Sequence, residues 1–375
     1  MVEVADRQQD AIEDVIRDAV RGAGKVNIVV AGKTGVGKST LINTVFRGQL
    51  AKTGSGTPVT QQIEEITKEG HPITIIDSKG LELKDYTTIL KDLEDFLAER
   101  AGHHDENKHI HAAWICIQEG GDRIEQAEID LCRVLIDQSI PVVAVVTKSM
   151  FAKDVDFHLK VKEMLPGASA VVRVRAEAQE IEDDEGNVFK FGIKGVDELI
   201  TESAKLVPEA KKRAFANALS SRHQASMKIK IEQAEKEVLV ASGLAAAAGA
   251  TPIPFSDSFV LVPIQVGMLA KIGVTFGMEV SASALTTLVV SALGSSAASL
   301  VGRALVTGLL KMVPGVGSAV GGTIAATTAA TLTKGLGAAY ISVLTDFCNN
   351  NPGKELNIAL IGEELKKKLS FNSEA

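Results

Sequence analysis

The run Gly32-Lys33-Thr34-Gly35-Val36-Gly37-Lys38-Ser39 decides how the first half of this chain is read. It has the spacing GxxxxGK[ST]. Just upstream, "KVNIVVAG" is a short β-branched run that enters the loop directly, and "KSTLINTVF" beyond it has helical character. A strand, a glycine loop and a helix in that order turn successive backbone N–H groups onto one anion. They set that anion at a helix N-terminus, where the dipole also favours negative charge. Gly32, Gly35 and Gly37 let the backbone approach the oxygens without a Cβ in the way, and the residues from Gly32 through Thr40 form the expected cradle. Lys38 would bring a point charge to the terminal phosphates, and the Ser39 hydroxyl would ligate Mg²⁺.

Working outward, strand and helix patterns alternate. "PITIIDSKG", "HAAWICIQ", "IPVVAVVTKS" and "SAVVRVRAEA" read as further strands, and "LKDYTTILKDLEDFLAERAG" and "RIEQAEIDLCRVLIDQ" as helices between them. The strand "IPVVAVVTKS" is almost continuously apolar, as expected when helices cover both faces of a parallel sheet. Apolar positions at Ile12, Val15, Ile16, Ala19 and Val20 predict a helix over 5–22, closed by Gly22 and Gly24. The acidic run "EAQEIEDDEG" reads as a solvated turn, and the histidines of "GHHDENKHIH" as a polar loop entering a strand.

The chain has 375 residues, 45% of them hydrophobic, and a net charge of −7, so no global basic field points to nucleic acid. Cys116, Cys132 and Cys348 lie far apart and read as buried thiols of a reducing compartment. The charged, amphipathic N-terminus has no signal-peptide pattern, so a cytoplasmic protein, peripherally membrane-associated at most, is expected. Charge is unevenly spread: Glu237–Asn350 holds eight charged residues in 114, the rest being mainly Ala, Gly, Val, Leu, Ser and Thr. These shifts divide the chain into an N-terminal helix (1–24), an α/β domain (25–205), a connecting helix (206–236), an apolar helical domain (237–350) and a polar C-terminal tail (351–375). The expected fold is thus an α/β P-loop NTPase domain, mostly parallel with helices on both faces, followed by an all-α domain rich in small residues.

The ordered series "GKTGVGKSTLIN", "TGSGTPVTQQIEE", "DSKG", "VVTK" and "VRVRAEA" resembles the motifs of small GTPases, specifically the translation-factor-related bacterial G domains, over roughly residues 20–205. The resemblance implies GTP and GDP as ligands with Mg²⁺. It makes Thr60 the switch threonine that reaches the metal and senses the γ-phosphate, with Thr57 as the other candidate. Asp77 would hold a Mg²⁺-bound water, and Gly80 would give its N–H to the γ-phosphate. Thr147 and Lys148 would flank the base, with backbone N–H groups near Ala176 and Glu177 completing the purine contact. The implied metal set is Ser39, Thr60 and Asp77, and the implied catalytic pair Lys38 and Thr60.

Several positions depart from that pattern. Ser78-Lys79 replaces the usual Thr-Pro, and Lys79 either faces solvent or offsets γ-phosphate charge. Leu81 stands where water-positioning GTPases have Gln, and a leucine cannot orient a nucleophile; Gln61 and Gln62 in the switch are substitutes by residue type alone. Met150 occupies the place of the aspartate that accepts from guanine N1–H and N2–H₂, with Asp154 and Asp156 a little downstream. Loss of a paired charged acceptor weakens discrimination, so guanine is expected first and adenine stays open. Gly35 replaces the P-loop Asn that holds K⁺ in some relatives, so K⁺ dependence is not expected.

A second resemblance covers roughly 237–350: "TPIPFSDSFVLVPIQVGMLAKIG" and "KMVPGVGSAVGGTIAATTAATLTKGLGAAYI" are similar to the YcjF-related helical domain often fused to such G domains. The layout also resembles the immunity-related GTPases in architecture. The stretches 238–256, 280–302 and 312–333 are long enough to span a bilayer. Their composition, rich in Ala, Gly, Ser and Thr, argues more weakly for insertion, while small residues at close spacing suit tight helix–helix packing in membranes. A soluble bundle, a membrane-inserting hairpin and a bundle that opens to a membrane on a nucleotide signal all stay open. The expectation is a GTP-binding switch with slow intrinsic hydrolysis, helped by a homodimer through the G domain or by a partner, with membrane contact through 238–333. The alternative is a nucleotide-binding scaffold with little turnover.

Overall fold

The computed structural model describes residues 13–53, 55–58, 63–78, 86–121, 123–150, 155–249, 257–278 and 326–371. The chain divides into two compact units. One is Gly24–Ser226; the other joins the N-terminal segment through Ala23 to the chain from Met227 onward.

The first unit is built on a seven-stranded sheet of order β2-β3-β4-β1-β5-β6-β7. Its strands are β1 (Val26–Ala31), β2 (Ser55–Pro58), β3 (Ile63–Thr67), β4 (Ile73–Ser78), β5 (Ala112–Gln118), β6 (Val142–Thr147) and β7 (Ala170–Arg173). Pairing is parallel from β4 through β1, β5 and β6 to β7, while β3 runs antiparallel to β4 and β2 to β3. The two antiparallel strands flank residues 59–62 of the switch segment, where no strand is expected from the sequence pattern. β1, β4 and β6 are buried at every residue, which is why they read as unbroken apolar runs.

Helices cover both faces. α2 (Lys38–Val45) and the short α3 (Leu50–Thr53) follow β1, then come α4 (Tyr86–Ala101), α5 (Gln126–Asp137), α6 (Val155–Met164), α7 (Val196–Leu206) and α8 (Lys212–Ala218). Leu93, Phe96, Leu131, Leu135 and Val161 close one face over Val29, Ile115 and Val146. On the other, Trp114 stacks on Phe46 at 5.5 Å between centroids, and its indole N–H donates to Ser203 Oγ at 2.9 Å. Satisfying that donor is what lets so large a side chain be wholly buried.

The acidic run is not a simple turn. Gln179–Glu182 (β8) and Val188–Phe191 (β9) form an antiparallel hairpin, and only Asp183–Gly186 turns. Asp183 Oδ1 accepts from the backbone N–H groups of Glu185 and Asn187 at 3.1 and 2.8 Å, and Gly186 takes φ of +84°. The segment 206–236 is likewise not one connecting helix. Pro208 and a 3-10 turn separate α7 from α8, and Leu219 then leaves helical geometry to bridge Phe46 before α9 (Gln224–Gly249) begins.

The second unit packs α1 (residues 13–21) with α9, α10 (Asp257–Phe276), α11 (Ala326–Asn350) and α12 (Ile358–Phe371). Its core draws Ile16 and Ala19 together with Leu269, Ile272, Tyr340 and Leu344. Residues 351–375 are not merely a polar tail: Ile361, Leu365 and Leu369 fall every four residues on α12 and bury into this core. Two of the adjoining lysines are paired, Lys367 with Glu364 at 2.6 Å and Lys368 with Asp346 at 3.2 Å. Among the described residues no helix is long and apolar enough to cross a membrane. The stretch 280–302 lies outside the described residues, as do 250–256 and 312–325.

Candidate nucleotide-binding site

β1 ends at Ala31, and the loop after it is held in a shape that side chains resist. Gly32 takes φ of +148°, and a Cβ there would strike the Cys116 carbonyl of the neighbouring strand. Gly37 takes φ of +103° and forms the left-handed N-cap of α2. No side chain caps that helix and no acidic residue stands in its first turn, so its leading N–H groups are left without a side-chain acceptor at the cap. The Lys38 ammonium folds back onto the loop, donating to the carbonyls of Gly32 at 2.6 Å and Lys33 at 3.0 Å. Parallel pairing of β1 with β4 sets Asp77 beside Val30, bringing its carboxylate 4.0 Å from Lys38 Nζ. Both groups are buried, whereas Thr34, Gly35 and Ser39 are exposed at the mouth.

A cleft opens on one side of the loop between Gly37, Thr40, Thr147, Lys148, Ala176 and Glu177, so the sequence-predicted P-loop and base residues share one wall. Thr147 Oγ donates to the Ile117 carbonyl at 3.2 Å. Lys148 adopts φ of +53°, and its stem passes over the P-loop, with Cε about 4 Å from where a Gly37 Cβ would be. Its ammonium reaches Gln118 Oε1 at 3.2 Å. The Ala176 carbonyl accepts from Thr44 Oγ at 3.0 Å, which ties the base loop to α2.

Met150 does not line that cleft. Its backbone N–H donates to Glu119 Oε2 at 2.9 Å, while Glu119 Oε1 accepts from Ser149 Oγ at 3.0 Å and from Arg173 Nε at 2.8 Å. Glu119 and Arg173 also form an ion pair at 2.5 Å with both side chains largely buried. This pair pins the loop after β6 to the ends of β5 and β7. Arg175 extends the same support, donating to the Gly192 carbonyl at 2.8 Å with its guanidinium over the Phe191 ring. None of these three was singled out in the sequence, because Glu119, Ser149 and Arg173 meet only through strand register. Asp156, the downstream acid, lies exposed in the first turn of α6 and does not line the cleft.

A second cleft lies on the other side of the loop, between Lys33 and Thr34 and the segment from Gln118 to Glu128. Lys33 is ion-paired with Glu125 there. Glu125 and Glu128 form a reciprocal capping box on α5, and burial raises the Glu128 carboxyl above its ordinary range. Burial likewise pushes the Cys116 thiol up to about 12, so this neighbour of the P-loop stays a neutral packing group. Among the described residues no group of three or more His, Cys, Asp or Glu is placed to hold a metal. Thr60, Gly80 and Leu81 lie outside the described residues, as do Gln61, Gln62, Lys79 and Asp154. Thr57 contributes backbone to β2, opposite Glu65.

A left-handed glycine cap, an uncapped helix start, a buried Lys–Asp pair and a parallel sheet define a P-loop nucleotide-binding domain. Residues 27–148 match the family model described as 50S ribosome-binding GTPase, so this part of the chain is similar to the bacterial-type small P-loop GTPase G domains. GTPase Der of Rickettsia bellii (strain OSU 85-389) is 34% identical over 96 residues, 25% of this chain and 21% of that protein. Septin-9 of Rattus norvegicus is 32% identical over 81 residues, 20% of this chain and 13% of that protein. The chain thus spans about a fifth or less of the length of the curated relatives it matches. Among solved structures, a probable GTP-binding protein engB is 18% identical, with 48% of this chain and 98% of that one covered and a TM-score of 0.32. The G domain of the T. maritima FeoB iron transporter is 20% identical, with 48% and 98% covered and a TM-score of 0.31.

Proposed function

We propose that this chain is a GTP-binding switch with slow intrinsic hydrolysis, whose nucleotide state acts on the helical unit. The observation that carries the reading is the buried Lys38 ammonium, held on P-loop carbonyls 4.0 Å from Asp77 at the start of an uncapped helix. When triphosphate enters, the N–H groups of the loop and of α2 take its oxygens, and Lys38 turns from the two carbonyls to the β- and γ-phosphates. The exposed Ser39 hydroxyl and the Asp77 carboxylate are hard oxygen donors that suit Mg²⁺, directly or through water, with Thr60 completing the set. Mg²⁺ held there would supply positive charge to offset that of the phosphates. The stem of Lys148 covers the base plane, while backbone N–H groups at Ala176 and Glu177 meet its edge.

Guanine is the preferred base on the family match, although Met150 gives up the carboxylate acceptor. The Glu119 latch offsets part of that loss by holding the base loop in one conformation without reading the base. Leu81 leaves the attacking water unoriented, which is why slow turnover is proposed, with a homodimer through the G domain or a partner raising it. The same two substitutions favour a second reading, a nucleotide-binding scaffold with little turnover. Membrane contact through 238–333 draws support from α9, where Leu239 is 74% exposed beside exposed Val240 and Leu244. The kinship of the helical unit to the YcjF-related domain, and of the whole layout to immunity-related GTPases, is part of the same proposal.

The test is a thermal-shift and equilibrium-binding comparison of GTP, GDP and ATP with Mg²⁺ on wild type and Lys38→Ala. Guanine nucleotides should raise the melting temperature of wild type by mass action, ATP should not, and Lys38→Ala should abolish the shift. An equal shift with ATP would assign the site to purine nucleotides at large. No shift with any nucleotide would end the switch reading.

A further inference from the structure

We propose that Arg123 is the catalytic cation of this G domain, supplied in cis to the γ-phosphoryl group during hydrolysis. The inference rests on the GTP reading above and adds to it a source of transition-state charge beside Lys38; it does not replace the water-positioning group that Leu81 lacks.

The two clefts flanking the P-loop divide the path of a nucleotide between them. The cleft of Lys148 and Ala176 takes the later loop residues, Val36, Gly37 and Thr40. The cleft of Arg123 takes the earlier ones, Lys33 and Thr34, and shares only Val36 with the first. A triphosphate with its base in the first cleft runs back along the loop, so its terminal phosphate comes to the Thr34 end. Arg123 lines the cleft at that end.

Charge in the second cleft is already apportioned except at this residue. Lys33 is neutralised by Glu125, and Glu125 and Glu128 are engaged in the capping box of α5. Arg123 is exposed and makes no ion pair or hydrogen bond among the described residues. It stands just before α5, three residues after Gly120, on a loop whose other end is fixed through the Glu119–Arg173 pair. An unpaired guanidinium on a short loop with a fixed base pays little reorganisation to swing over Thr34. Its planar fork suits two oxygens of one phosphoryl group.

In the step itself, a water oxygen forms a bond to the γ-phosphorus while the bond to the β–γ bridging oxygen breaks. The electron pair passes to the GDP β-phosphate, and the proton lost by water ends on the released inorganic phosphate. Arg123 acts only as a hydrogen-bond donor and exchanges no proton in the step. It stabilises charge that grows on the γ-oxygens and the bridge, so its effect falls on turnover and leaves ground-state binding alone.

The experiment measures single-turnover hydrolysis of γ-labelled GTP by full-length wild type, Arg123→Ala and Arg123→Lys, with GTP and GDP affinities read by fluorescent analogues. Arg123→Ala should slow hydrolysis by about 100- to 1,000-fold while GTP affinity stays within about threefold. Arg123→Lys should recover a minor part, and millimolar free guanidinium should restore part of the rate to Arg123→Ala alone. An Arg123→Ala rate within about twofold of wild type would overturn the proposal, as would guanidinium acting equally on both proteins. A wild type that binds GTP but never cleaves it would overturn it too, with the nucleotide-binding reading intact. Failure of wild type to bind guanine nucleotide would instead strike the proposed function itself.

Discussion

His111 shows how one residue couples the junction of two central strands to solvent pH. It is buried where the chain enters β5, and its Nδ1 accepts the Asn27 backbone N–H at 3.0 Å. Burial, reinforced by the nearby Lys211 cation, lowers its pKa from the ordinary 6.5 to about 4. The folded state therefore binds fewer protons than the unfolded chain between those values. The resulting stability is fully present above pH 6.5 and is lost as pH falls toward 4. Between pH 7 and pH 5 the loss should reach about 2 kcal/mol, and urea midpoints at the two pH values measure it. In His111→Asn, which keeps an acceptor for the Asn27 N–H, the difference should shrink by about that amount. At this scale the sequence was legible where chemistry is contiguous. Gly32 through Thr40 form one run, and Asp77 stands near the end of a strand that parallel pairing lays beside β1. It was not legible where register makes the site: Glu119 and Arg173 lie 54 positions apart, and no local pattern marks them as partners.

Among the elements, small residues decide how closely α9 and α11 pack. A Cβ added at Gly337 would overlap a Val238 methyl and come within 3.1 Å of Met268 Sδ, whereas one at Gly335, two residues earlier on α11, meets nothing within 4 Å. Neither glycine has a positive φ, so alanine is sterically acceptable to the backbone at both. Gly335→Ala should then stabilise the helical unit by about 0.5–1 kcal/mol through helix propensity and a narrower unfolded ensemble. Gly337→Ala gains the same propensity but forces two helices apart, and should destabilise by about 1–3 kcal/mol. Chemical denaturation of the two variants checks both signs; equal effects would deny the close approach. Among the described residues of this region, Gly337 marks a place where a small residue sets the distance between helices. The amphipathic repeat of α12 was hidden by its surrounding lysines and glutamates, and the β8–β9 hairpin by the acids that alternate with Ile181 on its exposed first strand.

Taken as a whole, the molecule consists of two compact units of different character, and the proposed switch requires a free-energy link between them. The α/β class of the first unit was legible because continuous apolar strands and helical periods are local signals. Assignment of residues 13–21 to the distant helical unit was not, since an amphipathic helix specifies that it must be covered without specifying by what. The link is measurable without knowing its path. Calorimetric unfolding of the full chain should resolve a transition for Gly24–Ser226 and another for the helical unit. At a concentration 100 times Kd, a nucleotide that binds only the folded G domain should stabilise that domain by about 2.7 kcal/mol, whether it is GDP or a non-hydrolysable GTP analogue. A switch demands more than this. The γ-phosphate must have different affinities for two states of the helical unit, because a ligand indifferent to them shifts nothing. The GTP analogue should therefore move the helical transition where GDP leaves it in place, and Lys38→Ala should remove the difference. If both nucleotides move only the G-domain transition, the two units act independently, and the scaffold reading gains what the switch loses.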